Sequence, residues 1–162
     1  MSKEKIVDWK TLKKEVETWQ KQGLKVVFTN GCFDILHIGH VRYLQEAKRY
    51  GDKLIIGLNS DASVRKIKGE KRPIIPQEQR AEVLAALSCV DRIVIFDEPT
   101  PLRLITFLQP DVLIKGADWP EEKIVGREVV LRKGGIVKRI PLAKGVSTTR
   151  IIEEIITRYK HG

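Results

Sequence analysis

Cysteine is nearly absent from this sequence, and so is any long apolar run. Cys32 and Cys89 stand far apart, with no C-x-x-C spacing and no second pair. That excludes a disulfide framework and a cysteine zinc site, and it predicts two free thiols. No apolar stretch approaches the roughly 18 residues of a membrane span, and Met1 to Asp8 lack the apolar core of a signal peptide. The expected location is the cytoplasm. Aromatic residues make up only 6% of the chain, leaving few platforms on which single-stranded nucleic acid could stack. Internal repeats and linkers rich in Gly, Ser and Pro are missing too, so the 162 residues read as one globular domain, with an N-terminal helix over 1–23 packed on a core over 24–162. The 42% of hydrophobic and 31% of charged residues are the balance of a chain that buries a core of its own.

Charge of one sign is in excess. Thirty Lys and Arg against twenty-one Asp and Glu leave +9. Residues 65–80 hold six basic and two acidic side chains, and residues 123–150 hold eight and one, whereas residues 81–122 hold three basic and eight acidic. Such basic segments attract anions, either a polyanion such as RNA or small phosphate-rich molecules, and charge alone does not choose between them.

Trp9, Leu12, Val16 and Trp19 form the stripe of an amphipathic helix, with Asp8 placed to cap it and Gly23 to end it. Beyond it, short β-branched runs at 25–29, 53–58, 92–96, 111–114 and 136–140 alternate with helical periodicities at 39–50, 62–67, 77–87, 101–108 and 148–159, and a weaker one at 121–132. Alternation of this kind, with strands apolar on both faces, predicts a Rossmann-like three-layer α/β/α fold around a five-stranded parallel sheet. Ligands of such sheets sit beyond the carboxyl ends of the strands, which directs attention to residues 30–40, 59–61, 115–118 and 143–150. Residues 68–76 form a long basic loop with two prolines, and loops that long inside a compact domain are usually functional.

The first strand runs into Asn30-Gly31-Cys32-Phe33-Asp34-Ile35-Leu36-His37-Ile38-Gly39-His40 and then a helix. A helix amino end offers unpaired N–H groups and the positive end of the macrodipole to an anion. His37 and His40, three apart, share one face and can both donate to the oxygens of one phosphate, while Gly39 lets a ligand approach the backbone. Stabilising charge on a phosphoryl group in flight is most of what a phosphoryl-transfer enzyme must do. A zinc site of His37, His40 and Asp34 would have suitable donors, but no further ligand cluster supports it and no metal site is expected from these residues.

Residues 30–40 resemble the signature of the cytidylyltransferase-like nucleotidyltransferases. The likeness continues in order through Ile56 to Asp61, Lys68-Gly69 with Arg72-Pro73, Glu78-Gln79-Arg80, Lys115 to Trp119 and Gly145 to Arg150, covering roughly residues 25–156. Within that family the chain is most similar to adenylyltransferases acting on heptose 1-phosphate. The resemblance implies transfer of AMP from ATP to a sugar 1-phosphate, giving ADP-heptose and pyrophosphate for lipopolysaccharide core synthesis. It also implies magnesium arriving with ATP, no nucleic-acid or membrane partner, and a homodimer. His37, His40 and Lys68 would be catalytic, with Lys68 reaching the phosphates of both substrates. Gly31, Cys32, Phe33, His40, Lys115, Asp118, Ser147, Thr148, Thr149 and Arg150 would bind the nucleotide, the last four holding its β and γ phosphates, and Asp34, Lys68 and Arg80 would meet the sugar phosphate. The related glycerol-phosphate cytidylyltransferases carry an arginine where this chain has Leu142 and lack a lysine matching Lys115, which favours the heptose type.

Several positions admit a second reading. Arg80 either binds substrate phosphate or pairs with Glu78 or Glu82. Asp34 either orients a substrate hydroxyl or caps a helix. Lys115 and Asp118 contact the nucleotide or form a solvated turn, and Trp119 stacks on a ligand or covers the core edge. The competing functions are a cytidylyltransferase acting on glycerol 3-phosphate or another polyol phosphate, and a non-catalytic RNA-binding protein.

Overall fold

The computed structural model describes residues 2–160. Strands β1 (Val26–Gly31), β2 (Lys53–Asn59), β3 (Arg92–Phe96), β4 (Val112–Gly116) and β5 (Ile136–Ile140) form one parallel sheet in the order β3-β2-β1-β4-β5. Between them run α2 (Ile38–Lys48), α3 (Asp61–Lys68), α4 (Gln77–Ala85), α5 (Leu102–Leu108) and α6 (Arg127–Arg132), with α1 (Trp9–Lys21) before the sheet and α7 (Thr148–Tyr159) after it.

The period of two along each strand divides the core. Val27, Leu54, Ile56, Ile93 and Ile114 pack against Leu44 and Ala47 of α2 and Ala81, Leu84 and Ala85 of α4. Their neighbours Val26, Phe28, Ile55, Val94 and Leu113 pack against α1, α5 and α6 through Leu12, Val16, Leu104, Ile105, Leu108 and Val130. Strand alternation and the two helix layers therefore agree on one three-layer α/β/α fold.

The N-terminal helix is built as its sequence indicates. Asp8 accepts from the Thr11 amide at 2.7 Å, and the chain leaves α1 with Gly23 donating to Gln20 O and Leu24 to Trp19 O. Just before α1, Ile6 bridges Ile93 and Trp9 Nε1 donates to Ile95 O at 2.9 Å, so this segment covers the β3 edge of the sheet.

Two expectations are corrected. The helix expected over 121–132 is broken into a 3-10 turn, Glu121–Lys123, and α6, because Gly126 sits at φ +89 with the place of its missing Cβ 2.6 Å from Ile105 Cδ1. Only glycine fits that approach to α5. Strand β5 is not apolar on both faces: it is the open edge, with Lys138 and Arg139 exposed and only Ile140 buried. Charge on an edge discourages pairing with another chain.

From β1 the chain proceeds to β2 and β3 on one side and returns to β4 and β5 on the other. The carboxyl ends of β1 and β4 therefore form the switch point, where a crevice opens.

Candidate active site

A cleft of about 680 Å³ lies at that point, walled by the loop after β1, the β2 side with Asn59, Lys68 and Arg72, the turn after β4 and the start of α7. Its floor is a pair of imidazoles. The His37 and His40 rings stack 3.7 Å apart at 22°. His37 Nδ1 accepts from the Gly39 amide at 3.1 Å, and His40 Nδ1 accepts from the His37 amide at 3.3 Å, so the rings cap their own helix. With each Nδ1 used as an acceptor, the proton of each neutral ring is on Nε2, the one donor each has left for a ligand. Burial lowers the His37 pKa, and burial with repulsion from His37 lowers that of His40 to about 4. Both are neutral donors at pH 7.

Gly39 lines the cleft and also makes room for this pair. A Cβ there would lie 2.9 Å from His37 Cε1 and Nδ1, so a side chain at this position would collide with the imidazole. Phe33 and Ile35 hold φ of +47 and +53, a left-handed conformation uncommon for such residues and concentrated at functional sites. The Phe33 ring meets His40 edge-on at 5.2 Å.

Asp34 between them is a keystone. Its buried carboxylate accepts from Arg72 Nε at 2.8 Å and from the Ile74 and Ile75 amides at 2.8 and 2.9 Å, and its carbonyl accepts from Thr148 Oγ1 at 2.6 Å. Burial opposes its ionisation, but the two amides and the guanidinium outweigh this and hold its carboxyl below the usual range. It caps no helix, since the cap of α2 is His37.

On the β4 side, Lys115 Nζ lies 5.6 Å over the Trp119 ring, and burial lowers its pKa against the pull of Asp118. Trp119 is 48% exposed and lines the cleft, as do Lys68, Asp118 and Leu142. At α7, Ser147 Oγ accepts from the Arg150 amide at 3.1 Å, leaving the hydroxyl proton and the Thr148 and Thr149 amides without an intrahelical partner.

This geometry has a known counterpart: residues 28–154 match the model of the cytidylyltransferase-like family. The chain belongs to that family. It is 55% identical over 152 residues to the bifunctional protein HldE of Syntrophotalea carbinolica, covering 94% of this chain and 31% of that one. To HldE of Geobacter sulfurreducens it is 59% identical over 138 residues, covering 85% and 28%. The chain thus spans about a third of the curated relatives it matches. The crystal structure of a lipopolysaccharide core biosynthesis protein from Thermoplasma volcanium superposes with a TM-score of 0.62 at 29% identity, covering 76% of this chain and all of that one. Pantoate-beta-alanine ligase from Francisella tularensis, at 17% identity, TM-score 0.59 and coverage of 97% and 79%, shares the fold.

Of the expected site residues, this cytidylyltransferase-like cleft gathers Gly31, Cys32, Phe33, Asp34, His37, His40, Lys68, Lys115, Asp118, Ser147, Thr148 and Thr149. Arg80 and Arg150 are not among them. Arg80 is 2% exposed and donates to Ile75 O, Cys32 O, Asn59 O and Asp61 Oδ1 at 2.7–2.9 Å, so it is committed inside the protein and pairs with neither Glu78 nor Glu82. Arg150 lies beside Gly145 on the exposed flank of α7. Thr148 is present, but its hydroxyl proton is given to Asp34. Burial raises the Cys32 thiol pKa despite nearby Lys68 and Arg80, which keeps it protonated and unsuited to attack. Sequence reasoning missed Tyr43, whose hydroxyl, pushed up to about 12 by burial, bonds Thr29 Oγ1 at 2.8 Å behind the motif. Nothing but its position one turn after His40 marks it in the sequence.

Proposed function

We propose that the chain transfers AMP from ATP to the phosphate of heptose 1-phosphate, giving ADP-heptose and pyrophosphate for lipopolysaccharide core synthesis. Family membership and the relatives named HldE support this reading, and the observation that carries it is the stacked pair of neutral imidazoles at the switch point. An oxygen of the sugar phosphate attacks the α-phosphorus in line while the bond to the α–β bridging oxygen breaks and its electron pair leaves with pyrophosphate. The Nε2–H groups of His37 and His40 donate to the charge that grows on the transferred group. Lys68 attracts the phosphates of both substrates. The Ser147 and Thr149 hydroxyls and the free amides at the start of α7 hold the β and γ phosphates. Lys115, Asp118 and Trp119, with the backbone of Gly31, Cys32 and Phe33, border the nucleoside.

Magnesium is proposed to enter with ATP. Among the described residues no three His, Cys, Asp or Glu gather as a metal cage, and in the cleft Asp34 is engaged while Asp118 accepts no hydrogen bond. Mg²⁺ keeps several waters and takes one or two carboxylates plus substrate phosphates, so this donor set fits an ion carried by the nucleotide. When bound it neutralises triphosphate charge. No helix among the described residues is long and apolar enough to cross a membrane. A cytoplasmic homodimer acting on ATP and a sugar 1-phosphate, without nucleic acid, completes the proposal.

Pyrophosphate release across a panel of ATP and CTP with heptose 1-phosphate and glycerol 3-phosphate tests it. Turnover is expected with ATP and heptose 1-phosphate, and His37→Ala or His40→Ala lowers kcat by about 10² or more with the fold intact. Turnover only with CTP and glycerol 3-phosphate, or unimpaired turnover in both variants, refutes it.

A further inference from the structure

Two phosphorylated anions must occupy one cleft for the proposed reaction to occur. In-line displacement puts attacker and leaving group on opposite sides of the α-phosphorus, so beyond Lys68 between them each needs donors of its own. The α7 terminus offers one set. Arg72, which the sequence placed in the basic loop and in the Arg72-Pro73 stretch of the family likeness without a role of its own, has the properties of the other. Its side chain is 15% exposed, and its Nε donates at 2.8 Å to the Asp34 carboxylate, which is 0% exposed. Among the described residues neither terminal nitrogen of Arg72 has a protein acceptor, yet the residue lines the cleft. The backbone around it is held too, since the Ile74 and Ile75 amides bind the same carboxylate. A guanidinium oriented through Nε, with its Nη1–Nη2 edge unused, is a planar fork matched to two oxygens of a phosphate. An exposed lysine such as neighbouring Lys71 offers no such fixed geometry.

We propose that Arg72 is the acceptor-binding residue: its Nη1–Nη2 edge holds the phosphate of the sugar 1-phosphate on the β2 side of the imidazoles, leaving Lys115, Asp118 and Trp119 on the β4 side to the nucleoside. The assignment rests on the nucleotidyl-transfer reading above and adds to it the group that selects a phosphomonoester as acceptor. Asp34 is the positioning residue that aims the fork.

The test is steady-state pyrophosphate release by the full chain with ATP, magnesium and heptose 1-phosphate. Arg72→Ala raises KM for heptose 1-phosphate about tenfold or more while KM for ATP stays within about twofold, the size expected when a charge-assisted hydrogen-bond pair is lost. Arg72→Gln, which keeps a donor for Asp34 and loses the fork, shows the same selective rise and serves as the variant should Arg72→Ala not fold. An equal change in both KM values, as a merely structural role produces, or no change in either, overturns the assignment while leaving the proposed function standing. No turnover by the unmodified chain on any pair in the panel overturns the function and this assignment with it.

Discussion

Two protons decide what His37 and His40 can do. Their Nδ1 atoms are occupied by backbone amides, and stacking at 3.7 Å makes a second positive charge costly, so the pair meets a phosphate as two neutral Nε2–H donors. The same arrangement links the site to stability. An unfolded histidine titrates near 6.5, whereas His40 in the fold titrates at about 4, with His37 also lowered. Between those values the unfolded chain binds protons that the folded chain does not. This contribution is therefore complete above pH 6.5 and is lost as pH falls towards 4. Asp34, lowered from 3.8, acts only below that window. The melting temperature of the native chain is expected to decline between pH 6.5 and 4, and His40→Asn flattens that slope. Parallel slopes in the two proteins would remove the claim that His40 is buried neutral.

At the scale of elements, the basic loop between α3 and α4 is held from inside. Asp34 takes its Arg72, Ile74 and Ile75, while Arg80 from the first turn of α4 ties Ile75 to the ends of β1 and β2 through Cys32 O and Asn59 O. Arg80→Ala leaves three carbonyls and the Asp61 carboxylate without this donor, and a loss of about 3 kcal/mol is expected in urea unfolding. Glu78→Ala changes stability by less than about 0.5 kcal/mol, as a surface substitution does. Equal effects would show that Arg80 is not the clamp. The elements and the imidazole pair were legible in the sequence because both depend on local spacing: period two in the strands, a stripe in α1, three residues between histidines. The motifs holding Arg80, Asp34 and Arg72 were legible but their roles were not, because the Asp34–Arg72 pair and the bonds of Arg80 to Cys32 and Asp61 span 19–48 residues, where the sequence has no register to follow. The break at Gly126 was hidden for the same reason, being set by Ile105 of another helix.

Across the whole molecule, the surplus of +9 is sorted by ion pairing rather than spread evenly. Much of the acidic segment is spent on neighbours: Asp91 on Lys48, Glu98 on Arg103 and Asp111 on Lys133, with Glu15 neutralising Arg92. Lys68, Lys115 and Lys123, all lining the cleft, form no ion pair with a carboxylate among the described residues. Cations therefore outnumber carboxylates where the strands end, with Lys68, Arg72, Lys115 and Lys123 against Asp34 and Asp118, and the field of a cleft of net positive charge draws incoming anions. A Debye length of about 10 Å at 0.1 M salt is shorter than the approach over which such a field acts. Raising monovalent salt from 50 to 500 mM should then lower kcat/KM for ATP by about tenfold, at the low end of electrostatic steering effects. The change in kcat is smaller, because the imidazoles and the α7 terminus act at contact distance once substrate is seated. Salt-independent kcat/KM, or a loss borne by kcat, would mean that the basic surplus plays no part in drawing phosphates to the cleft.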